Sequence, residues 1–477
     1  MSDFARKGDS VSDASDNRID RYGLIACLLI ALVLRGIAVR IHADELTHDR
    51  DVYLGMAQGI AEGRGLCSPG STTPTAFRPP LYPLMIGGLL VAVPAGIAVA
   101  LVNGLFGVAT VWATHCIGRR LGLGRVSLIA ALLVAVDPLL LQYTAQPMTE
   151  TPCAGLVALL LLSMVSDESR SPRREWIGGA LFGLLVLCRP TFWPLVGLTA
   201  ASWSLIRWRG TEFTIVADAA SVGQDAGSIH HEGIVIDVPA PSVRFLSPRG
   251  LPWRAIVGTM LVVAPWVIRN QIVMGAPLLT TTHGGYTLLL ANNPVFYGEV
   301  VDHPWGTVWD GDSLARWQAE QNERLERDLG SGASEIERDR RLNSIAREFI
   351  AAEPKQFARA AWHRVRSLWS VVPQGDTTNG PSRWVIGGIG LYYSITLLAF
   401  AIGMIVVARR PDSGRWWLLY ALVVTVQTVH LAYWTNARMR APLTPVIALF
   451  AAACFAGRAK QTSPEAPTLS TEPGAPE

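Results

Sequence analysis

Apolar runs of bilayer length recur along the chain, and they constrain the fold more than any other feature. The first is Gly23 to Ile41. About 20 predominantly apolar residues suffice for a helix to cross a hydrocarbon core, where every backbone polar group must find its partner within the protein. Further runs lie at Ile97 to Ile117, Val126 to Tyr143, Thr149 to Val165, Trp176 to Cys188, Phe192 to Ile206 and Trp253 to Val273. Three more follow at Val385 to Val407, Trp416 to Trp434 and Ala441 to Phe455. The expectation is an all-α polytopic membrane protein with about ten transmembrane helices. Leu81 to Val93 is apolar but short, and reads as an interfacial or re-entrant helix. Only 17% of the chain is charged while 50% is hydrophobic. That balance excludes a disordered chain, a fibrous chain and a small disulfide scaffold.

The distribution of Arg orients these spans. With residues 1–22 as a cytoplasmic tail, alternate loops carry Arg119, Arg120 and Arg125; Arg170, Arg173 and Arg174; Arg207 and Arg209; Arg409, Arg410 and Arg415; and Arg458 with Lys460. Counting Leu81 to Val93 as a span would invert the later loops. The expected organisation is an N-terminal transmembrane module at 23–272, an extracytoplasmic helical region at 273–383, C-terminal transmembrane helices at 384–457 and a disordered cytoplasmic tail at 458–477. The N-terminal module includes a first outer loop, 42–96, and a cytoplasmic insertion, 207–254. In that insertion EFTIVADAAS and GIVIDVPAP resemble short strands. In the second outer region DSLARWQAEQNERLERDL is amphipathic, and Pro354 divides a later helical stretch in two before Trp362 and Trp369 return to the membrane.

Net charge is only +3, which gives no global field for nucleic acid. The only lysines are Lys7, Lys355 and Lys460, so an anion at the membrane must be held by Arg or by backbone N–H groups. The six cysteines form no CxxC pair and no zinc spacing. No Walker A, GxGxxG, HExxH or GxSxG motif is present.

Charges at the outer helix ends are the informative exceptions. Arg189 lies in CRPTFWP, Arg269 in APWVIRNQ, and Arg438 and Arg440 in NARMRAP. Each could snorkel to the headgroups, but several Arg at one face fit a shared phosphate or pyrophosphate. The first outer loop supplies Asp44, Glu45, Asp49 and Asp51, and Arg78 lies in a rigid FRPPLYP segment with Tyr82. A carboxylate there can cap a helix, bind a metal or act as a general base. Glu150 opens a span in QPMTETP. In HGGYTLLLANNP, Asn292 and Asn293 are candidates to read sugar hydroxyls or to cap a turn.

Four ordered segments carry a resemblance. They are DRDVYLGMAQGIAEGRGL with TAFRPPLYPL; DPLLLQYTAQPMTETP; GLLVLCRPT with APWVIRNQIVMGAPLLTTTHGGYTLLLANNP; and NARMRAPLTPVIALFAA. Together they resemble the GT-C membrane glycosyltransferases (glycosyltransferase family 39-like), in the bacterial branch near lipid A aminoarabinose transferase and the protein O-mannosyltransferases. The resemblance implies a multi-pass protein of the bacterial inner membrane with its active site on the extracytoplasmic side. It implies a sugar donor on polyprenyl phosphate and a lipid, glycan or protein acceptor. It implies a catalytic carboxylate four residues before a Tyr. Tyr53 places Asp49 there, with Asp51 as the second candidate. Arg50 interrupts the acidic pair usual in the family, so a divalent metal is left open. Donor phosphate would fall to Arg78, Arg189, Arg269, Arg438 and Arg440, with Tyr53, Tyr82, Glu150 and Asn292 as further substrate contacts.

Two other classes compete with a glycosyltransferase. A transporter or flippase for a lipid-linked or anionic substrate would show internal repeats and charges at the midplane; no repeat is evident. A membrane scaffold would not need acids and Arg together at the helix ends.

Overall fold

The computed structural model describes residues 2–165, 171–201, 252–307, 309, 311–372 and 382–456, with side chains from residue 18 onward. The two strand-like pieces near 211–239 and the C-terminal tail lie outside the described residues. Among the described residues the regular structure is helical, apart from one isolated bridge between Cys67 and Pro74.

The helices are α1 (Ser2–Ile41), α2 (Tyr53–Ala61), α3 (Leu81–Leu90), α4 (Ala95–Arg120), α5 (Ser127–Ala135), α6 (Pro138–Gln142), α7 (Glu150–Met164) and α8 (Pro172–Cys188). After them come α9 (Trp253–Met274), α10 (Gly284–Ala291), α11 (Gly311–Leu329), α12 (Glu335–Ala352), α13 (Pro354–Leu368), α14 (Arg383–Ala408), α15 (Trp417–Val429) and α16 (Thr444–Ala453). The helix expected at 192–206 begins at Pro194 and leaves the described residues after Ala201.

Among the described residues four helices are long and apolar enough to cross a membrane: Arg18–Ile41 of α1, α4, α9 and α14. A bent helix pair adds a broken span or a re-entrant loop. The segments Gly124–Ala135 and Pro138–Ala145 meet at 46°. Asp137 and Pro138 cause the break, because Pro138 removes a helical donor and the Asp137 carboxylate caps the new turn through Leu140 N–H at 2.9 Å. The apolar runs at 149–165, 176–188, 416–434 and 441–455 yield helices of 15, 17, 13 and 10 residues, shorter than a straight bilayer crossing. The 416–434 and 441–455 runs also take in turn residues, including part of the 3₁₀ segment Ala437–Leu443. The chain is an all-helical, multi-pass membrane protein.

Close helix approach is achieved with glycine. A Cβ at Gly403 in α14 would overlap the carbonyl oxygen of Phe450 in α16, and one at Gly179 in α8 would overlap that of Ala255 in α9.

Two smaller cores are separate from the main one. In the first loop region, Tyr53, Leu54 and Ala57 of α2 pack on Tyr82 and Ile86 of α3 and on Val99 of α4. In the second, Leu289, Phe296, Trp309, Trp317 and Ile345 are buried together. The capping box formed by Ser334 and Glu337 starts α12. Pro354 opens α13, as the sequence predicts. Trp369 stacks on Phe400 of α14 at 5.6 Å and donates to Gln427, while Trp362 stays exposed.

Candidate functional site

The loop ends of α2, α7, α8 and the 3₁₀ segment Ala437–Leu443 bring charges together. Asp51 precedes Val52, whose φ of 59° is a left-handed conformation that a β-branched residue rarely adopts. The turn presents the Asp51 carboxylate to Arg78, which donates from Nη2 to Oδ1 at 2.8 Å and from Nε to the Asp51 carbonyl at 3.0 Å. Arg438 Nη1 lies 3.3 Å from the other oxygen, Oδ2. Arg438 Nε then lies 3.5 Å from Oε1 of Glu150, which also accepts from Arg189 Nη2 at 2.6 Å. The result is an alternating row: Arg78, Asp51, Arg438, Glu150, Arg189. Three guanidiniums face two carboxylates, leaving one positive charge in excess.

Local sequence explains each placement. Glu150 is the first residue of α7, where the helix dipole favours an acid, and it is completely buried. Arg189 follows the last residue of α8, and Thr149 Oγ1 accepts from its Nε at 2.9 Å. Asn436 caps the 3₁₀ segment through Arg438 N–H. The remaining donors are weakly engaged. Arg189 Nη1 meets only the sulfur of Met439 at 3.8 Å, and Arg438 Nη1 also approaches that of Met148 at 3.9 Å. Oε2 of Glu150 has no hydrogen-bond partner among the described residues.

Tyr53 and Tyr82 wall this row. Their rings meet edge to face at 5.5 Å, and the Arg78 guanidinium lies 5.6 Å from the Tyr53 ring. Burial pushes the Tyr53 phenol up to about 12. Tyr82 is fully buried and its hydroxyl donates to Asn103.

Asp49 is placed differently. Its two oxygens accept from Leu54 N–H at 3.0 Å and Gly55 N–H at 2.7 Å, at the start of α2. It therefore orients the helix that carries Tyr53. Asp44 is exposed, and Glu45 pairs with Arg50 at 2.9 Å.

Three residues expected at the site are engaged elsewhere. Arg269 donates to the carbonyls of Thr75 at 2.9 Å and Leu66 at 2.5 Å, so it holds the backbone of the first loop region. Arg440 donates to the carbonyls of Leu368 and Ser370 at 2.8 and 2.6 Å. Asn292 is buried; its amide donates to Leu288 and Ala432 carbonyls, and its oxygen accepts from the Tyr297 hydroxyl. Asn293 is buried beside it and caps the turn at Phe296.

Two residues that the sequence did not single out shape the site. Glu335 accepts from Thr75 Oγ1 at 2.7 Å, Ala76 N–H at 3.1 Å and Thr282 Oγ1, tying α12 to the segment that leads into Arg78. Nothing local distinguishes it from other acids that open a helix. His283 lies against Phe77, ring centroids 4.3 Å apart. Among the described residues no three His, Cys, Asp or Glu side chains group as metal ligands.

Residues 78–215, less than a third of the chain, match the profile of the family described as dolichyl-phosphate-mannose-protein mannosyltransferase. No curated protein gives a significant match. Among solved structures, the archaeal oligosaccharyltransferase AglB from Archaeoglobus fulgidus, in complex with an inhibitory peptide and a dolichol-phosphate, aligns at 14% identity and a TM-score of 0.45. That alignment covers 91% of this chain and 50% of AglB, so the chain spans about half the length of that protein. ArnT from Cupriavidus metallidurans, bound to undecaprenyl phosphate, aligns at 14% identity and a TM-score of 0.41, covering 91% of this chain and 77% of ArnT. The profile match falls on the segment that carries Arg78, Glu150 and Arg189.

Proposed function

We propose that the chain is a membrane glycosyltransferase. It transfers a sugar from a polyprenyl-phosphate donor to a lipid, glycan or protein acceptor at the extracytoplasmic face of the bacterial inner membrane. Residues 42–96 and 273–383 form the outer regions, and the two ends of the chain are cytoplasmic. One observation carries the reading: Arg78, Arg438 and Arg189 are held apart and oriented by Asp51 and Glu150 at the loop ends of the bundle. The family profile over 78–215 supports a polyprenyl-phosphate-linked sugar as donor.

The chemistry needs two things from the protein. The departing polyprenyl phosphate takes the electron pair of the bond to the anomeric carbon, and pre-oriented guanidiniums in a dry site stabilise that charge. Arg189 Nη1 meets only thioether sulfur and can turn to a phosphate, and Arg438 Nη1 is shared between the Asp51 carboxylate and a thioether. The acceptor hydroxyl must lose its proton as it attacks, which a carboxylate within hydrogen-bond reach accomplishes. We assign that role to Asp49, which meets two backbone N–H groups and no cation. Asp51 is occupied by two arginines and orients them.

The test is release of polyprenyl phosphate from polyprenyl-phosphate sugars by purified protein in lipid, with and without chelator. Wild type should release it. Asp49→Asn keeps one of the two oxygens that cap α2 and should lose about 10²–10⁴-fold in rate with only a modest fall in melting temperature. Full activity in Asp49→Asn with loss in Asp51→Asn would move the base to Asp51. Flux of a lipid-linked substrate without any covalent product would support a transporter instead.

A further inference from the structure

His283 immediately precedes α10, outside the apolar spans. The residue before it is fixed twice, since Thr282 N–H donates to the Ala76 carbonyl at 3.1 Å and its hydroxyl donates to Glu335. The imidazole is set between two aromatic rings. Phe77 meets it edge-on at 4.3 Å, and Tyr286 stacks on it at 5.1 Å with 27° between the planes. Phe77 is the neighbour of Arg78 in sequence, so this aromatic group adjoins the charged row. Nδ1 is buried and has no hydrogen-bond partner among the described residues. Burial, together with the positive charges of Arg78 and Arg438, holds the ring well below the usual imidazole range, so it is neutral at pH 7.

These properties select among ligands. A phosphate is recognised by cations, and a neutral ring adds little to three guanidiniums. A proton acceptor must carry the charge it gains, and two nearby arginines oppose that. A neutral imidazole instead offers one donor and one acceptor nitrogen in fixed geometry. A buried ring nitrogen without a partner is a group that native proteins ordinarily satisfy. Aromatic rings beside a sugar site fit the C–H face of a sugar ring, and the edge of an imidazole that two such rings hold in place fits a hydroxyl. The sugar of the proposed donor is bonded directly to the phosphate, so it must lie beside the arginines.

We infer that His283, walled by Phe77 and Tyr286, reads a hydroxyl of the donor sugar and so helps set which sugar is transferred. This rests on the proposed function, and the experiment separates the two.

Purified full-length protein in lipid nanodiscs is titrated with undecaprenyl phosphate and with its mannosyl and other monosaccharide forms. Single-deoxy versions of the sugar that binds are then added. His283→Ala should weaken the sugar-bearing donor about tenfold, as expected for one lost hydrogen bond to a buried group, while sugar-free undecaprenyl phosphate binds as to wild type. His283→Gln, which keeps a donor and an acceptor, should recover part of the loss. One deoxy donor should bind equally to wild type and His283→Ala. Equal weakening of both ligands, or no weakening of either, overturns the role of His283. Failure of wild type to bind any of these lipids overturns the proposed function along with it.

Discussion

Arg438→Gln is expected to lower sugar transfer by about 10²–10³-fold, the usual scale for removing a donor that stabilises developing charge, with little change in folding. Arg438 is the middle member of the charged row, touching Asp51 at 3.3 Å and Glu150 at 3.5 Å. Each acid keeps a second and closer partner when Arg438 is removed: Arg78 for Asp51 and Arg189 for Glu150, at 2.8 and 2.6 Å. No carboxylate is stranded, so the fold survives. Arg189→Gln is a less informative variant. It leaves the fully buried Glu150 with only its longer contact, and breaking a buried pair from one side costs about 3–5 kcal/mol. Turnover in lipid and thermal melting, measured on the same Arg438→Gln sample, check the expectation. A wild-type rate would remove Arg438 from the catalytic machinery.

Gly403→Ala should be the most damaging single-methyl change in the bundle, destabilising by about 3 kcal/mol or more. The added carbon meets the backbone carbonyl of Phe450, not a side chain that can rotate away. Separating α14 from α16 would also unpack the Phe450 ring, which lies among Phe400, Trp416 and Tyr420 at 4.8 to 5.8 Å. Gly104→Ala in α4 is the control. Its Cβ meets no atom within 4 Å, so stability should stay equal or rise by up to about 1 kcal/mol from helix propensity. The melting temperatures of the two purified variants decide the matter; equal values would mean that α14 and α16 can separate without penalty.

The apolar runs made the helical, membrane-spanning class legible, because burial of backbone in lipid leaves few alternatives. Span lengths were harder to read. Hydropathy does not register a cap such as Asp137 or a 3₁₀ turn such as Ala437–Leu443, and both interrupt apolar sequence. Charge at a helix end marks Arg189, Glu150 and Arg438, which the structure brings into one row. The same rule also drew in Arg269 and Arg440, whose guanidiniums pin backbone carbonyls. Sequence alone does not separate these uses, since both place an arginine beside Pro or Asn at an apolar boundary. Asn292 is a polar residue in a glycine-rich segment, and the structure spends both ends of its amide internally. His283 lay in that same segment without notice. Its meaning depends on Phe77, more than 200 residues away, and only the fold joins them.

The segment from Leu66 to Ala76 is gripped by two charged side chains. Arg269 of α9 takes its carbonyls, and Glu335 of α12 takes its N–H and hydroxyl groups. Mechanically this is a splice between the bundle and the second loop region, with the strip that leads into Arg78 as the shared member. Displacement of α12 is therefore transmitted to Arg78 without passing through a ligand. Under the proposed function, any ligand that shifts the second loop region would move Arg78 with it.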